Sequence, residues 1–184
     1  MGNLSSLDSE DVIGIFNVLF RTKYNTILLG GCDEPLYQPS RFFTTPNIIY
    51  FKNDYLASAL HEVAHWCLAG AERRKKLDYG YWYVPEGRSR EQQWQFENAE
   101  VKPQALEWMF SMACVSKFYV SRDNFSERST LDRFTKLIRR QVQCWCRGEQ
   151  LPQDAQLFID AARSRTNSQS TFDIDKYHSI ATTD

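Results

Sequence analysis

Histidine is scarce in this chain, with only three among 184 residues. Two share one motif, His61-Glu62-Val63-Ala64-His65, and the third, His178, lies in a polar stretch near the C-terminus. A metal gripped by His61 and His65 has no other histidine in the body of the chain to complete it. The expected third ligand is therefore a carboxylate. Two imidazoles and one carboxylate suit zinc in a hydrolase, and equally non-haem Fe(II) in an oxygen-using enzyme. The other absences narrow the field. No apolar run is long enough to span a bilayer, so no membrane association is expected. The formal net charge is -1, which gives no global pull toward nucleic acid, and no direct nucleic-acid contact is expected. The five cysteines, Cys32, Cys67, Cys114, Cys144 and Cys146, are odd in number and match no disulfide framework. Cys144 and Cys146 on a helix diverge by about 200°. The five read as free thiols of a cytoplasmic protein, packed mostly as small hydrophobes. The stretch from Met1 to Asp11 is too polar and acidic for a signal peptide. There is no glycine-rich nucleotide motif that would seat an electron donor, and no internal repeat.

What is present is a globular composition, 42% hydrophobic and 14% aromatic, in a length that fits one compact domain. The reading is a helix-rich α+β domain over 1–165 with a small sheet, followed by a loosely ordered tail over 166–184. Asp8-Ser9-Glu10-Asp11 is a helix start, and Val12, Ile15, Phe16, Leu19 and Phe20 follow at helical spacing. Thr26–Leu29 and Ile48–Phe51 are short β-type runs, separated by a loop carrying Pro35, Pro39 and Pro46. Asn53 or Asp54 is the expected cap of the next helix, which carries the histidine motif and ends at Gly70. A helix is predicted from near Ser89 or Arg90 to about Cys114, with Pro103 inside it. Phe118 to Val120 reads as a third strand. Leu131–Trp145 and Pro152–Arg163 read as amphipathic helices.

Residues four apart on a helix face the same way, so His61 and His65 can reach one ion from successive turns. The third ligand should come from the helix containing Glu97 and Glu100, which are three apart and share a face. Glu100 is the expected ligand, and Glu97 the group that orients a histidine or meets a substrate amine. Glu107, farther along, reads as part of a solvated acidic face. Glu62 lies between the histidines. In a zinc hydrolase a glutamate so placed polarises the attacking water, whereas in an oxygenase it is free to accept a proton or hold a cationic substrate.

Three blocks then resemble a known family. They are His61-Glu62-x-x-His65-Trp66-Cys67, Asp78-Tyr79-Gly80-Tyr81-Trp82-Tyr83-x-Pro85-x-Gly87-Arg88, and Gln95-Phe96-Glu97-x-x-Glu100-Val101-Lys102-Pro103-Gln104-Ala105-Leu106-x-Trp108. Together with Asn25-Thr26 and Asp33-Glu34-Pro35-x-Tyr37 they resemble the bacterial elongation factor P hydroxylases over roughly residues 10–150. The resemblance implies a fold similar to metal hydrolases, with a 2-His-1-carboxylate site for Fe(II) built from His61, His65 and Glu100. It implies O2 as co-substrate. The implied partner is elongation factor P carrying a β-lysyl-lysine, the side chain to be hydroxylated in support of translation. The competing expectation from the short motif alone is a zinc hydrolase, a peptidase or nuclease with Glu62 as base.

A modified lysine is long and cationic, so its pocket should offer aromatic walls and carboxylates. Tyr79 and Tyr81, with Trp82 and Tyr83, are the candidate walls. Asp78, Glu86 and Glu97 are the candidate partners of the amines. Arg73 and Arg74, which open the run Arg73-Arg74-Lys75-Lys76, are candidates for steering an acidic protein partner. Arg133, Arg139 and Arg140 read as plain surface.

Overall fold

The computed structural model describes residues 5–42, 44–80, 89–120 and 128–178, with the side chains of 128–130 and 170 outside the description. The first helix, α1 (Ser9–Tyr24), starts where Asp8 accepts from the Asp11 N–H and Asp11 reciprocates, forming a capping box. Val12, Ile15, Phe16 and Phe20 are its buried stripe. Three strands follow: β1 (Thr26–Cys32), β2 (Leu36–Gln38) and β3 (Asn47–Lys52). The central strand is β3, parallel to β1 and antiparallel to β2. Gly30 lets β1 pass close to the Phe51 ring, since a Cβ there would stand 2.6 Å from Cζ.

Helix α2 (Leu56–Arg73) follows β3 directly. It starts at Tyr55 with no side-chain cap, so neither Asn53 nor Asp54 plays the expected part. Asn53 instead sits in the left-handed region and bridges back to Cys32. At Gly70 (φ 69°, ψ 173°) the helical path breaks, and one further turn carries the chain to Arg73. Helix α3 (Arg90–Ala113) opens with a capping box between Ser89 and Gln92 and runs through Pro103. Helices α4 (Arg128–Cys146) and α5 (Gln153–Thr166) complete the helix-rich α+β domain.

One face of α2 is core. Trp66 lies fully buried among Phe16, Phe20 and Tyr24, with ring centroids 5.0, 4.8 and 5.3 Å away. Burying a ring of that size contributes a few kcal/mol, so this cluster fixes how α2 rotates against α1. Among the described residues no helix is long and apolar enough to cross a membrane.

Two expectations need correction. Phe118–Val120 forms no strand of the sheet; Phe118 and Val120 are buried and Tyr119 makes only an isolated bridge. The polar segment after Thr166 is packed through Tyr177, not loose. Thr166 donates to the Ala113 carbonyl at 2.9 Å and Ser168 to the Met112 carbonyl at 3.3 Å, adding side-chain partners to the C-terminal end of α3. Tyr177 is fully buried, edge-on to Trp108 at 5.0 Å.

Candidate metal centre

The rotation of α2 that buries Trp66 and Leu60 turns His61 and His65 toward α3. Their rings meet edge to face, with the two Nε2 atoms 3.0 Å apart. Glu100 of α3 reaches both: Oε2 lies 3.6 Å from His61 Nε2 and Oε1 lies 3.4 Å from His65 Nε2. Donor atoms from His61, His65 and Glu100 fall within 4.8 Å of one another, the one such group among the described residues. The side chain of Glu100 is almost wholly buried, while His61 keeps 24% of its side-chain surface open, which leaves access to the donor cluster.

Behind His61 stands Glu107, whose Oε2 accepts from Nδ1 at 2.8 Å. The expectation of a solvated Glu107 is therefore wrong. The residue is 6% exposed, two helical turns beyond Glu100 on the same face of α3. Burial alone would disfavour a charged His61. The Glu107 hydrogen bond and charge, with Glu100 and Glu62 nearby, outweigh it and raise the imidazole to about 10. Burial also pushes the Glu107 carboxyl up, with His61 pulling it back. Glu62, 8% exposed, is raised by the same desolvation and is held down by both imidazoles. Three buried carboxylates thus share two imidazoles. A divalent cation at the Nε2 atoms and Glu100 would offset that excess, so the donor set fits a metal in both number and charge.

Beyond Gly70 the chain returns to the site through a tight turn, Leu77–Gly80, with Asp78 (φ 47°) and Tyr79 (φ 56°) both left-handed. Two adjacent non-glycine residues in that region are costly, and they are held here by packing. Tyr79 is buried and its ring stacks on Tyr37 at 4.5 Å and, more distantly, lies parallel to His65 at 6.4 Å. Its hydroxyl is buried without a hydrogen-bond partner among the described residues. Burial raises the Asp78 carboxyl, against the opposing pull of His65.

This centre can be set beside known proteins. The sequence model of the elongation factor P hydroxylases matches residues 15–177. The chain is also 41% identical over 169 residues to the elongation factor P lysine hydroxylase of Haemophilus influenzae, covering 91% of this chain and 94% of that protein. The chain belongs to the elongation factor P hydroxylase family.

In this hydroxylase-family chain the remaining expected residues fall into place unevenly. Glu97 is not part of the donor group. Its buried carboxylate accepts from Arg133 of α4 at 2.7 Å and from Gln93 at 3.2 Å, so it orients neither histidine. Arg133, expected to be plain surface, ties α4 to α3. Arg74 is not available to steer a partner. Its guanidinium lies 3.4 Å from the Trp66 ring centroid and donates to Asp154 at 2.9 Å and to the Trp66 carbonyl at 3.0 Å. Burying Trp66 requires a lid on that face, and Arg74 is the lid. Arg73, half-buried, donates through Nε to the Tyr79 carbonyl at 3.0 Å, which pins the turn. Tyr81, Trp82, Tyr83 and Glu86 lie outside the described residues.

The sequence reading missed a cleft of about 430 Å³ between α2, α3 and α4. It opens beside His65 and is lined by Asn98, Lys102, Leu137 and Gln141 among others. The signal was present in α4: Arg133, Leu137 and Gln141 recur every four residues and so share one face.

Proposed function

We propose that this protein hydroxylates a lysine side chain of elongation factor P, with Fe(II) held by His61, His65 and Glu100 and with O2 as the oxygen source. The observation that carries the reading is the convergence of those three donors in a chain of the elongation factor P hydroxylase family. The named relative is a lysine hydroxylase of the same factor. A translation factor as substrate supports a cytoplasmic location for the work. The side chain acted on is the lysine extended by a β-lysyl group, whose length suits a donor cluster that is recessed but open at His61.

His61, His65 and Glu100 would hold the ion, which when bound would supply the chemistry of O2 activation. One oxygen atom enters a C–H bond of the substrate and the other leaves as water. The balance takes two electrons and two protons from an external small-molecule or protein reductant. The chain's own residues do the positioning. Glu62 and Asp78, whose carboxyls burial raises against the pull of the imidazoles, would accept hydrogen bonds from the substrate amines. Tyr79 closes the same wall, its hydroxyl buried and unpartnered among the described residues. The stacked rings of Tyr37 and Tyr79 keep that wall dry behind His65.

The test is mass spectrometry of β-lysylated elongation factor P incubated with the protein, Fe(II) and a reductant under labelled O2. A gain of one labelled oxygen on the modified lysine is the expected outcome, and an unchanged mass overturns the reading. Burial of Glu62 between the two histidines favours a second reading, a zinc-dependent peptidase or nuclease with Glu62 as base. Metal analysis after oxygen-free purification separates the two: zinc that supports peptide or RNA cleavage would select the hydrolase.

A further inference from the structure

We infer that Glu107 is a positioning residue that sets His61 as an Nε2 metal ligand and raises the affinity of the centre. The inference rests on the metal centre proposed above. A neutral imidazole carries one N–H, and which nitrogen bears it decides which nitrogen can bind an ion. A carboxylate accepts only, so the 2.8 Å contact from Nδ1 to Glu107 Oε2 fixes the proton on Nδ1. Once an ion displaces the proton on Nε2, that nitrogen's lone pair faces His65 Nε2 and Glu100 Oε2, the other members of the donor group. The contact also locks the ring plane. A ring flip would take Nε2 away from the cluster and break a buried charge-assisted hydrogen bond.

The placement of Glu107 makes an incidental role a poor account of it. It is 6% exposed, on the helix that also carries Glu100. A carboxylate in such surroundings costs free energy unless something nearby uses its charge. The groups facing it are His61, His65 and Glu100, and no arginine or lysine hydrogen-bonds it or pairs with it among the described residues. One helix therefore supplies both a ligand and the group that aims a ligand from the opposite helix. Carboxylates that orient ligating histidines commonly contribute 10- to 100-fold in metal affinity.

The experiment is an oxygen-free Co(II) titration of the full chain against a chromophoric chelator, with Glu107→Gln and Glu107→Ala beside the wild type. Circular dichroism of each metal-free protein reports its fold. Glu107→Gln keeps an oxygen acceptor without the charge, so it should weaken binding by about 10-fold, and Glu107→Ala by up to about 100-fold. In the Zn(II)-loaded wild type, nitrogen NMR should show His61 protonated at Nδ1. Wild-type affinity in a folded Glu107→Gln overturns the inference while the metal centre stands, as does a His61 that carries no proton on Nδ1. A wild type that takes up no Co(II) removes the metal centre itself and the inference with it. Should Glu107→Ala fail to fold, the isosteric Glu107→Gln decides alone.

Discussion

The rings of Tyr37 and Tyr79 lie parallel, 4.5 Å between centroids and 8° between planes, joining an edge strand of the sheet to the left-handed turn beside the metal centre. Tyr37 donates through its hydroxyl to the Arg74 carbonyl at 2.7 Å, whereas the Tyr79 hydroxyl is buried with no partner among the described residues. Tyr79→Phe should therefore leave thermal stability unchanged or raise it by about 1 kcal/mol, since a buried unpaired hydroxyl is removed. Turnover of the modified lysine should fall. A loss of stability with full turnover would show that the hydroxyl serves packing and not the substrate.

His61→Ala, His65→Ala and Glu100→Ala should each abolish hydroxylation, read as loss of the oxygen gain by mass spectrometry. Far-ultraviolet circular dichroism should stay close to wild type, because Trp66, Leu60 and Val63 hold α2 from its other face. The same product loss should follow chelation of the intact protein and be reversed by Fe(II). Full activity in Glu100→Ala would remove it from the ligand set.

Asp154 gathers Arg74 at 2.9 Å, the Tyr24 hydroxyl at 2.9 Å and Lys23 at 3.4 Å. Asp154→Asn should cost on the order of 3 kcal/mol in urea unfolding, because the nearly buried guanidinium of Arg74 loses its counter-ion. Lys23→Ala should cost far less, since that partner is exposed.

Burial raises the Cys114 thiol from 9.0 to about 12, raises Cys67 further, and raises Tyr37 to about 12 against the pull of Arg74. These acids keep their protons in the folded chain at pH values where the unfolded chain has released them. Their stabilising contribution is thus complete below about pH 9 and declines as pH rises toward 12. Each such group removes at most about 1.4 kcal/mol per pH unit. The urea midpoint should fall between pH 9 and 11, and Cys114→Ala should flatten that fall. A midpoint independent of pH across this window would contradict the burial of these groups.

Removing the residues beyond Arg165 should lower the unfolding midpoint, because Thr166 and Ser168 cap the last carbonyls of α3 and Tyr177 covers Trp108. A truncated chain of unchanged stability would show that this packing contributes nothing.

The parts of this fold that show in the sequence are those whose signals are local. Asp8 and Ser89 announce their helices by capping chemistry, and the spacing of His61 and His65 needs only a helix to put them together. The parts that escape depend on what lies opposite. Strand β2 is three residues between prolines and exists because Leu36, Tyr37 and Gln38 pair with Tyr50, Ile49 and Ile48. Glu107 shares the stripe of Glu100, yet nothing within α3 says whether that stripe meets water or His61. Arg74 belongs to a basic run that looks solvated until Gly70 turns the chain back under Trp66. The polar residues after Thr166 look loose in composition, and their partners, the last carbonyls of α3 and Arg163 of α5, lie outside the segment.

Both imidazoles stand on one stretch of α2, so the spacing of their backbone positions is fixed by the helix. The carboxylate arrives on a separate rigid rod. If an ion binds there, a change in its radius would have to be taken up by side-chain rotation and by the fit of one rod against the other, like a vice with a single moving jaw. Discrimination among cations of different radius then belongs to the seam where the two rods meet, and side chains that never touch the ion can alter it.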